Sequence, residues 1–598
     1  MFPSLLFVTV LFTGCATRGA ETIPSQTATE TSTEIAADGE AAVEPTSEPA
    51  TVAPTVAPPE VAEAPPERAF PEDSLYPLLV AEFALRRRQY DTALDNYLQQ
   101  APQLADAGVA AHTARLAQFM RRESEALEAT RLWVELEPDN LEARLNLANL
   151  LALSGQPQEA FAELRTIAQA GGTANFTSLL RGYDKLDHAA QLNLLQQVRE
   201  LGEALPDDIQ LRLCQVLMLE ELGRREEALA QLQPVFALEP LYPQAVIEDA
   251  KLRIELGQTE GVFERMEQAL LAEPGNNRLR LQYARLLTQV DMAEAERQFQ
   301  RLLQVAPQDP DLLFSVALIQ RELKDLDSAR ENLERLLTLN RRTDEAHYYL
   351  GKTAEEQRRL EDAVMHYTQV QPGRDFGAAT ERLALLLLAS GRNAELAAYF
   401  DTQRQRFPQL AQQLYALEAE KLMGAKYLAD ASAILDRALA TYPDGISLRY
   451  SRSILAEQLG NFPQAEQDLR YIIERNPDNS TALNALGYML TNRSDRYEEA
   501  AQLISKALAI KPDEPAILDS MGWVKYRLGD YASALTYLER AYRAFPDPEV
   551  AAHLGEVLWV MGQQAAAREI WDRALAERPE HKILQETLQR LGVDLTDV

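Results

Sequence analysis

The sequence predicts an all-α protein, built as a solenoid of helix-turn-helix repeats in a right-handed superhelix, that follows a signal peptide and a disordered linker. Prolines that follow apolar helical stretches recur about every 34 residues. Small residues recur at matching places within that period. No sustained alternation of apolar and polar residues, bounded by turns, indicates a β-strand.

Residues 1–14 are predicted to be a lipoprotein signal peptide. The apolar run at residues 5–12 is too short to cross a bilayer, which takes about 20 residues, and fits the core of a secretory signal. The following Thr-Gly-Cys15 resembles the lipobox of bacterial lipoproteins, although Phe12 stands where that family prefers Leu. The resemblance implies lipidation of Cys15, and Ala16 implies sorting to the outer membrane, facing the periplasm. The alternative is a chance apolar N-terminus with a buried, unmodified Cys15.

Residues 15–74 hold the candidate lipidated cysteine and a predicted disordered linker. Residues 16–74 are rich in Ala, Thr, Glu and Pro, with 9 prolines, 12 acidic residues and 2 arginines. Such a composition cannot bury a hydrophobic core. The linker carries −10 of the formal net charge of −32 and leaves −22 on the rest of the chain. We expect it to tether the folded part at a distance from the membrane.

Residues 75–579 are predicted to form an array of about 14–15 repeats, and residues 580–598 a C-terminal capping helix and tail. Proline ends the second helix of each repeat, and most gaps between these prolines are 33 to 36 residues. The recurring prolines are Pro102, Pro138, Pro206, Pro240, Pro274, Pro307, Pro372, Pro408, Pro443, Pro477, Pro512, Pro546 and Pro579.

Small residues mark where the two helices of a repeat cross. The first helix carries a glycine at Gly351, Gly487, Gly522 and Gly555. The second helix carries alanines seven apart at Ala500 and Ala507, Ala534 and Ala541, and Ala567 and Ala574. Glycines are also expected in the turns between helices, at Gly223, Gly460 and Gly529. This pattern, clearest in residues 519–546, resembles the tetratricopeptide repeat (TPR) family.

One repeat, at residues 171–206, departs from the pattern. It begins with Gly171-Gly172 and lacks the alanine pair. Two interpretations stay open, a hinge in the array or a divergent repeat, and divergence is the favoured one.

Composition and motifs exclude several classes of function. A charge of −32 opposes nucleic acid as the main partner, because phosphate binding needs a basic face. The two cysteines and six scattered histidines predict no metal site and no cofactor. Cys214 is predicted to be a buried core residue. His347 and His366, on neighbouring helices, are predicted to be surface or half-buried repeat residues and not metal ligands. Hydrolase, kinase, nucleotide-binding and calcium-binding motifs are missing from the sequence, so no enzyme is predicted.

The candidate partner-binding residues lie on first helices, which line the concave face of TPR arrays. The crossing glycines place aromatic and charged residues on that face in three repeats. Because aromatics on a concave surface favour peptide anchoring, we expect a protein partner there. For the tryptophans, packing between adjacent helices is the alternative. The candidates are Asp519, Trp523, Tyr526, Arg527, Glu556, Trp559, Tyr348 and Lys352.

Two stretches, residues 75–120 and 519–563, resemble a narrower group, the outer-membrane TPR lipoproteins of gammaproteobacteria. The best-understood type is the lipoprotein adaptor of a periplasmic carboxyl-terminal processing protease. The resemblance implies that the protein binds such a protease and its cell-wall hydrolase clients and touches the membrane only through its lipid anchor. The alternative is a structural scaffold of an envelope assembly for polysaccharide export, pilus formation or peptidoglycan synthesis.

Overall fold

The computed structural model describes residues 70–593, without the side chain of Glu72. The predicted signal peptide, Cys15 and nearly all of the predicted linker lie outside these residues. Within the described range the chain forms 31 α-helices and three 3-10 helices and contains no strand, which confirms the all-α repeat fold. None of these helices combines the length and apolarity that a membrane span requires. The chain divides into two compact units, with the border between Pro307 and Gln308.

The N-terminal unit contains fourteen α-helices in its described part. The 3-10 helix Glu72–Ser74, at the end of the predicted linker, precedes them, and another, Phe176–Leu179, precedes α7. The helices are α1 (Leu75–Arg86), α2 (Tyr90–Leu104), α3 (Ala107–Phe119), α4 (Glu123–Leu136), α5 (Leu141–Leu153), α6 (Pro157–Gln169), α7 (Leu180–Tyr183), α8 (His188–Ala204), α9 (Ile209–Glu221), α10 (Arg225–Leu238), α11 (Pro243–Glu255), α12 (Glu264–Ala272), α13 (Asn277–Leu287) and α14 (Met292–Val305).

The C-terminal unit contains seventeen α-helices in its described part and the 3-10 helix Pro408–Leu410. They are α15 (Pro310–Glu322), α16 (Leu326–Thr338), α17 (Thr343–Glu356), α18 (Leu360–Gln369), α19 (Phe376–Ala389), α20 (Asn393–Arg406), α21 (Ala411–Gly424), α22 (Leu428–Thr441), α23 (Ile446–Gln458), α24 (Phe462–Arg475), α25 (Ser480–Arg493), α26 (Tyr497–Ile510), α27 (Pro515–Arg527), α28 (Tyr531–Ala544), α29 (Pro548–Val560), α30 (Gln564–Glu577) and α31 (Lys582–Leu591).

Each odd-numbered helix from α1 to α29, except the short α7, packs against the helix that follows it. Hydrogen bonds between Tyr183 and Gln191 join α7 to α8, so the described residues form 15 two-helix units before α31. A short segment after the closing proline often supplies the N-cap of the next first helix. The Asn479 side chain, for example, accepts from the Ala482 backbone N–H at 2.9 Å. An arginine six residues after the proline recurs as well and donates to the proline carbonyl. In one repeat, Arg212 donates to the Pro206 carbonyl at 2.7 Å. These contacts fix how one repeat follows another.

The crossing glycines lie directly against the second helix of their own repeat. A Cβ on Gly487 would stand 2.5 Å from Ile504 and 3.0 Å from the Ala500 carbonyl. A Cβ on Gly522 would stand 2.5 Å from Leu538. The predicted alanines of the second helices are buried. The predicted role of small residues at the crossing is therefore confirmed.

The turns between first and second helices require a left-handed residue. Gly223, Gly460 and Gly529 have φ values of 72°, 74° and 81°, which glycine adopts without steric cost. Lys324 and Arg358 occupy the same kind of turn at φ 65° and 60°. The turn is thus a property of the fold, and glycine makes it easier to form.

The irregular repeat at residues 171–206 keeps a packed interior. Its first helix is reduced to the 3-10 helix Phe176–Leu179 and the short α7, while α8 is full length. Phe176 and Tyr183 are fully buried, and the Tyr183 hydroxyl donates to the Gln191 carbonyl at 2.9 Å. Cys214 of α9 is also fully buried beside this repeat, as the sequence predicts. This packing favours the divergent repeat over the hinge.

Candidate functional site

The candidate site is built on the first helices α25, α27 and α29 and on the terminal helix α31. The crossing glycines set the rotation of each first helix, because the glycine face must meet the second helix. Side chains one residue after the glycine, such as Trp523 and Glu556, therefore share one face of successive repeats. The structure links these side chains from repeat to repeat.

Asp519 and His553 form the buried centre of the site. The His553 Nδ1 atom lies 3.0 and 3.1 Å from the two carboxylate oxygens of Asp519. His553 is 3% exposed and Asp519 is 6% exposed. Burial alone would lower the pKa of His553, but the Asp519 carboxylate and the nearby Glu549 and Glu556 raise it above its ordinary value. Folding therefore favours the charged form of this buried imidazole, which the Asp519 carboxylate faces.

Trp523 packs on this pair. Its ring stacks on His553 with the centroids 4.1 Å apart and 18° between the ring planes, and on Tyr526 at 5.0 Å. The indole Nε1–H donates to Asn492 Oδ1 at 2.9 Å. Only 8% of the surface of Trp523 is exposed, which agrees with the alternative that this tryptophan packs between adjacent helices. Like Asp519, it offers a partner little more than an edge.

Tyr526 extends the network toward the C-terminal helix. Its hydroxyl donates to Glu556 at 2.9 Å, and Arg590 of α31 donates to both Glu556 oxygens at 2.7 and 2.5 Å. Glu556 is 1% exposed, so this carboxylate is paired where water cannot reach it. Burial, followed by the Glu556 charge, raises the pKa of Tyr526 above its usual range. The tyrosine therefore remains a neutral donor at neutral pH.

Arg527 and Trp559 supply the accessible part of the site. Arg527 is exposed and donates to the Thr491 carbonyl at 3.1 Å and to the Tyr497 hydroxyl, with its guanidinium over the Tyr497 ring. Trp559 is half-buried against Trp571, with 5.7 Å between ring centroids. Both side chains are held in place by the protein while part of each remains accessible.

The two candidates in the middle repeats lie on α17, away from this network. Lys352 Nζ stands 5.6 Å from the ring centroid of Tyr348 and 5.5 Å from that of Tyr349. Tyr348 also packs against Tyr367 of α18, at 6.2 Å between centroids. Both candidates are half-buried, so they form a second, smaller aromatic and basic surface.

Sequence reasoning missed several residues of the network, among them Tyr488, Asn492, Glu549, His553 and Arg590. Tyr488 follows Gly487 as Trp523 follows Gly522, so alignment of the repeats on their glycines could have found it. Its hydroxyl donates to Glu549, and burial, followed by the Glu549 charge, raises its pKa well above the usual value.

The arrangement suits binding better than catalysis. Its polar groups are engaged with one another, and its accessible atoms belong to an indole and a guanidinium. In residues 70–593, His, Cys, Asp and Glu side chains form no group of three or more that could hold a metal ion. The chemistry offered to a partner is apolar contact, stacking and hydrogen-bond donation.

Comparison with known proteins finds the same repeat. The sequence profile of the Tetratricopeptide repeat matches residues 285–331, 317–375, 450–515 and 520–582. The TPR repeat-containing protein PA4667 of Pseudomonas aeruginosa is 38% identical over 497 residues, which cover 83% of this chain and 84% of that protein.

More distant likenesses have lower sequence identity. The human Protein O-mannosyl-transferase TMTC1 is 24% identical over 170 residues, which are 27% of this chain and 19% of that protein. Among solved structures, yeast Tom70 aligns with 87% of this chain and 94% of its own at 14% identity and a TM-score of 0.32.

Proposed function

The chain belongs to the family of tetratricopeptide-repeat proteins, and from this premise we propose that it is a non-enzymatic scaffold that holds other proteins together at the bacterial outer membrane. Stacked repeats create extended surfaces on which partner proteins bind. The part of TMTC1 that resembles this chain is a fifth of that transferase or less, so the likeness carries no catalytic role across.

The observation that carries the proposal is the side-chain network across α25, α27, α29 and α31. It fixes Tyr526 and Arg527 before any partner arrives, and Trp571 of α30 packs against Trp559 beside it. Immobilising a flexible side chain on binding costs roughly 0.5–1.5 kcal/mol, and a preorganised surface avoids that cost. Trp, Tyr and Arg are also the residue types that dominate binding energy at protein interfaces. We therefore place a partner on this face.

More specifically, we propose an adaptor that brings cell-wall hydrolases to a periplasmic carboxyl-terminal processing protease. The support is the resemblance of residues 75–120 and 519–563 to adaptors of this type. A scaffold that binds protease and client raises the concentration of each around the other. In this mechanism no reaction takes place on the scaffold itself.

Anchoring would occur at Cys15, with the acidic linker as a tether. Mass spectrometry of the N-terminal peptide from envelope fractions tests this part. We expect a mature chain that begins with acylated Cys15. An unacylated Cys15 inside the mature chain would refute the anchor and leave the scaffold proposal standing.

A pull-down from envelope extract tests the partners, with the full chain, Arg527→Glu and Arg540→Glu compared. Arg527 lies on first helix α27, whereas Arg540 is the matched control on second helix α28 of the same repeat. We expect a protease and wall hydrolases to be recovered, and Arg527→Glu alone to reduce recovery by at least about tenfold. Recovery of an assembly apparatus without protease or hydrolase would favour the alternative, a structural scaffold of an envelope assembly.

A further inference from the structure

His347 and His366 meet at the crossing of α17 and α18, far in sequence from the proposed partner-binding face. Their Nδ1 atoms are 3.1 Å apart, and the ring planes are tilted by 41°. Both side chains are half-buried, so solvent reaches them. The function proposed above makes no use of this pair.

We propose that the two imidazoles bind a divalent transition-metal ion such as Cu²⁺, Zn²⁺ or Ni²⁺. An imidazole nitrogen sits about 2.0–2.1 Å from Zn²⁺, so two such ligands at near-tetrahedral angles are separated by roughly 3.1–3.4 Å. The observed 3.1 Å between the Nδ1 atoms of His347 and His366 lies in that range. The rings already have the spacing that one shared ion requires.

The surroundings of the rings do not oppose ligation. Burial lowers the pKa of His347, and burial with the His347 charge lowers that of His366 to about 4. Metal ligation requires neutral imidazoles, and burial favours that form of both rings. The proton now shared between the two Nδ1 atoms would move to an outer Nε2 atom, so each ring keeps one proton and presents a lone pair to the ion.

Open space lies beside one ring of the pair. A cavity of about 170 Å³ borders His366, and Glu334 and Asp362 also line it. Asp344 and Asp362 place negative charge near the rings, while Arg359 opposes it and pairs with Asp362. Because residues 70–593 hold no third protein ligand at this place, water fills the remaining positions. We therefore expect an exchangeable site that clamps α17 to α18.

Imidazole ligands set the order of preference among ions. Divalent ions of the first transition row follow a common order in which Cu²⁺ binds most tightly, whereas Mg²⁺ and Ca²⁺ prefer oxygen ligands. The site should therefore bind Cu²⁺ more tightly than Zn²⁺ and ignore Mg²⁺.

Calorimetric titration of the full chain with CuCl₂, ZnCl₂ and MgCl₂ tests the site. His366→Gln and His347→Gln remove one ligand each. His188→Gln is the matched control, since His188 is an exposed histidine at the start of α8. We expect one Cu²⁺ per chain, an affinity loss of at least about tenfold in each ligand variant, and no change in the control.

Electron paramagnetic resonance of the Cu²⁺ form gives a second, positional measurement. Two coordinated imidazoles give a nitrogen splitting pattern that loses one nitrogen in either ligand variant, while circular dichroism verifies that the helices remain. No saturable binding by the full chain, or an unchanged spectrum in His366→Gln, would overturn the proposal and leave the contact as a plain hydrogen bond.

Discussion

Two histidine sites in the C-terminal unit use the same side chain in opposite ways. His553 lies beside Asp519, and its pKa is raised, so folding favours the charged ring. His347 and His366 lie beside each other, and burial lowers the pKa of both, so folding favours the neutral ring. The helix pairs that carry them are built alike, with a crossing glycine in the first helix. The neighbour supplied by another helix, Asp519 of α27 for His553 and His366 of α18 for His347, decides the chemistry.

The comparison explains how a repetitive fold acquires distinct sites. Glycines and alanines at the crossing keep every repeat in the same geometry, while the positions around them are free to vary. At α27 and α29 those positions create a charged, interlocked cluster that supports a binding face. At α17 and α18 they create a neutral pair with room beside it.

Removal of the counter-charge from the charged site should have the largest effect. Asp519→Ala leaves His553 buried without its carboxylate, and we expect a loss of about 3 kcal/mol in the free energy of unfolding at pH 5.5. Urea denaturation followed by circular dichroism measures it. The same substitution in a His553→Phe background should cost clearly less. Equal costs in the two backgrounds would mean that the pair does not interact.

The crossing glycines test whether the two sites share one framework. A Cβ on Gly555 would stand 2.1 Å from Trp571, and one on Gly351 would stand 2.5 Å from Tyr367. Both aromatic rings are fully buried, so we expect Gly555→Ala and Gly351→Ala to destabilise the protein by about 1–3 kcal/mol. Gly377→Ala in α19, where nothing lies within 4 Å, is the control and should not destabilise. Thermal unfolding compares the three variants.

The pH dependence of stability should have opposite signs at the two sites. The contribution of His553 is fully present below pH 6.5 and is lost as the pH rises through its raised folded pKa. The contribution of His366 is fully present above pH 6.5 and is lost as the pH falls toward about 4. Unfolding free energies of the wild type, His553→Gln and His366→Gln between pH 4.5 and 8 measure this. Differences from wild type that change in the same direction with pH would break the comparison.

The smallest expected effect concerns the surface of the neutral repeat. Lys352→Ala removes an ammonium that stands over Tyr348 and Tyr349, and we expect a loss of about 0.5 kcal/mol. Lys352→Met, which keeps the aliphatic stem, separates charge from packing. A cost above 2 kcal/mol in thermal or urea unfolding would show that this residue does more than cover two rings.

Much of the fold could be predicted because its constraints are local. A proline that ends a helix and a glycine at a crossing act within one repeat, so Pro546 and Gly522 reveal the period without any knowledge of distant contacts. The shortened helix at 180–183 could not be located in this way, because the buried Tyr183 and the Phe176 of the preceding 3-10 helix follow no repeat pattern.

The site could be predicted only in part, for a related reason. The glycine register places Trp523 on the correct face, but whether the ring stays open depends on His553 in the next repeat, 30 residues away. Likewise, the sequence places His347 and His366 on neighbouring helices, but only the packing of those helices brings their Nδ1 atoms to 3.1 Å. Contacts between helices decide the chemistry that a single helix face leaves open.

Reconstituted proteolysis tests the proposed adaptor most directly. The protease and one hydrolase recovered with the full chain are mixed at low concentration, and the rate of hydrolase degradation is measured as the chain is added. The account predicts that the rate rises, passes a maximum and falls at excess chain, because separate scaffold molecules then hold protease and client apart. A degradation rate that does not change with added chain would contradict it.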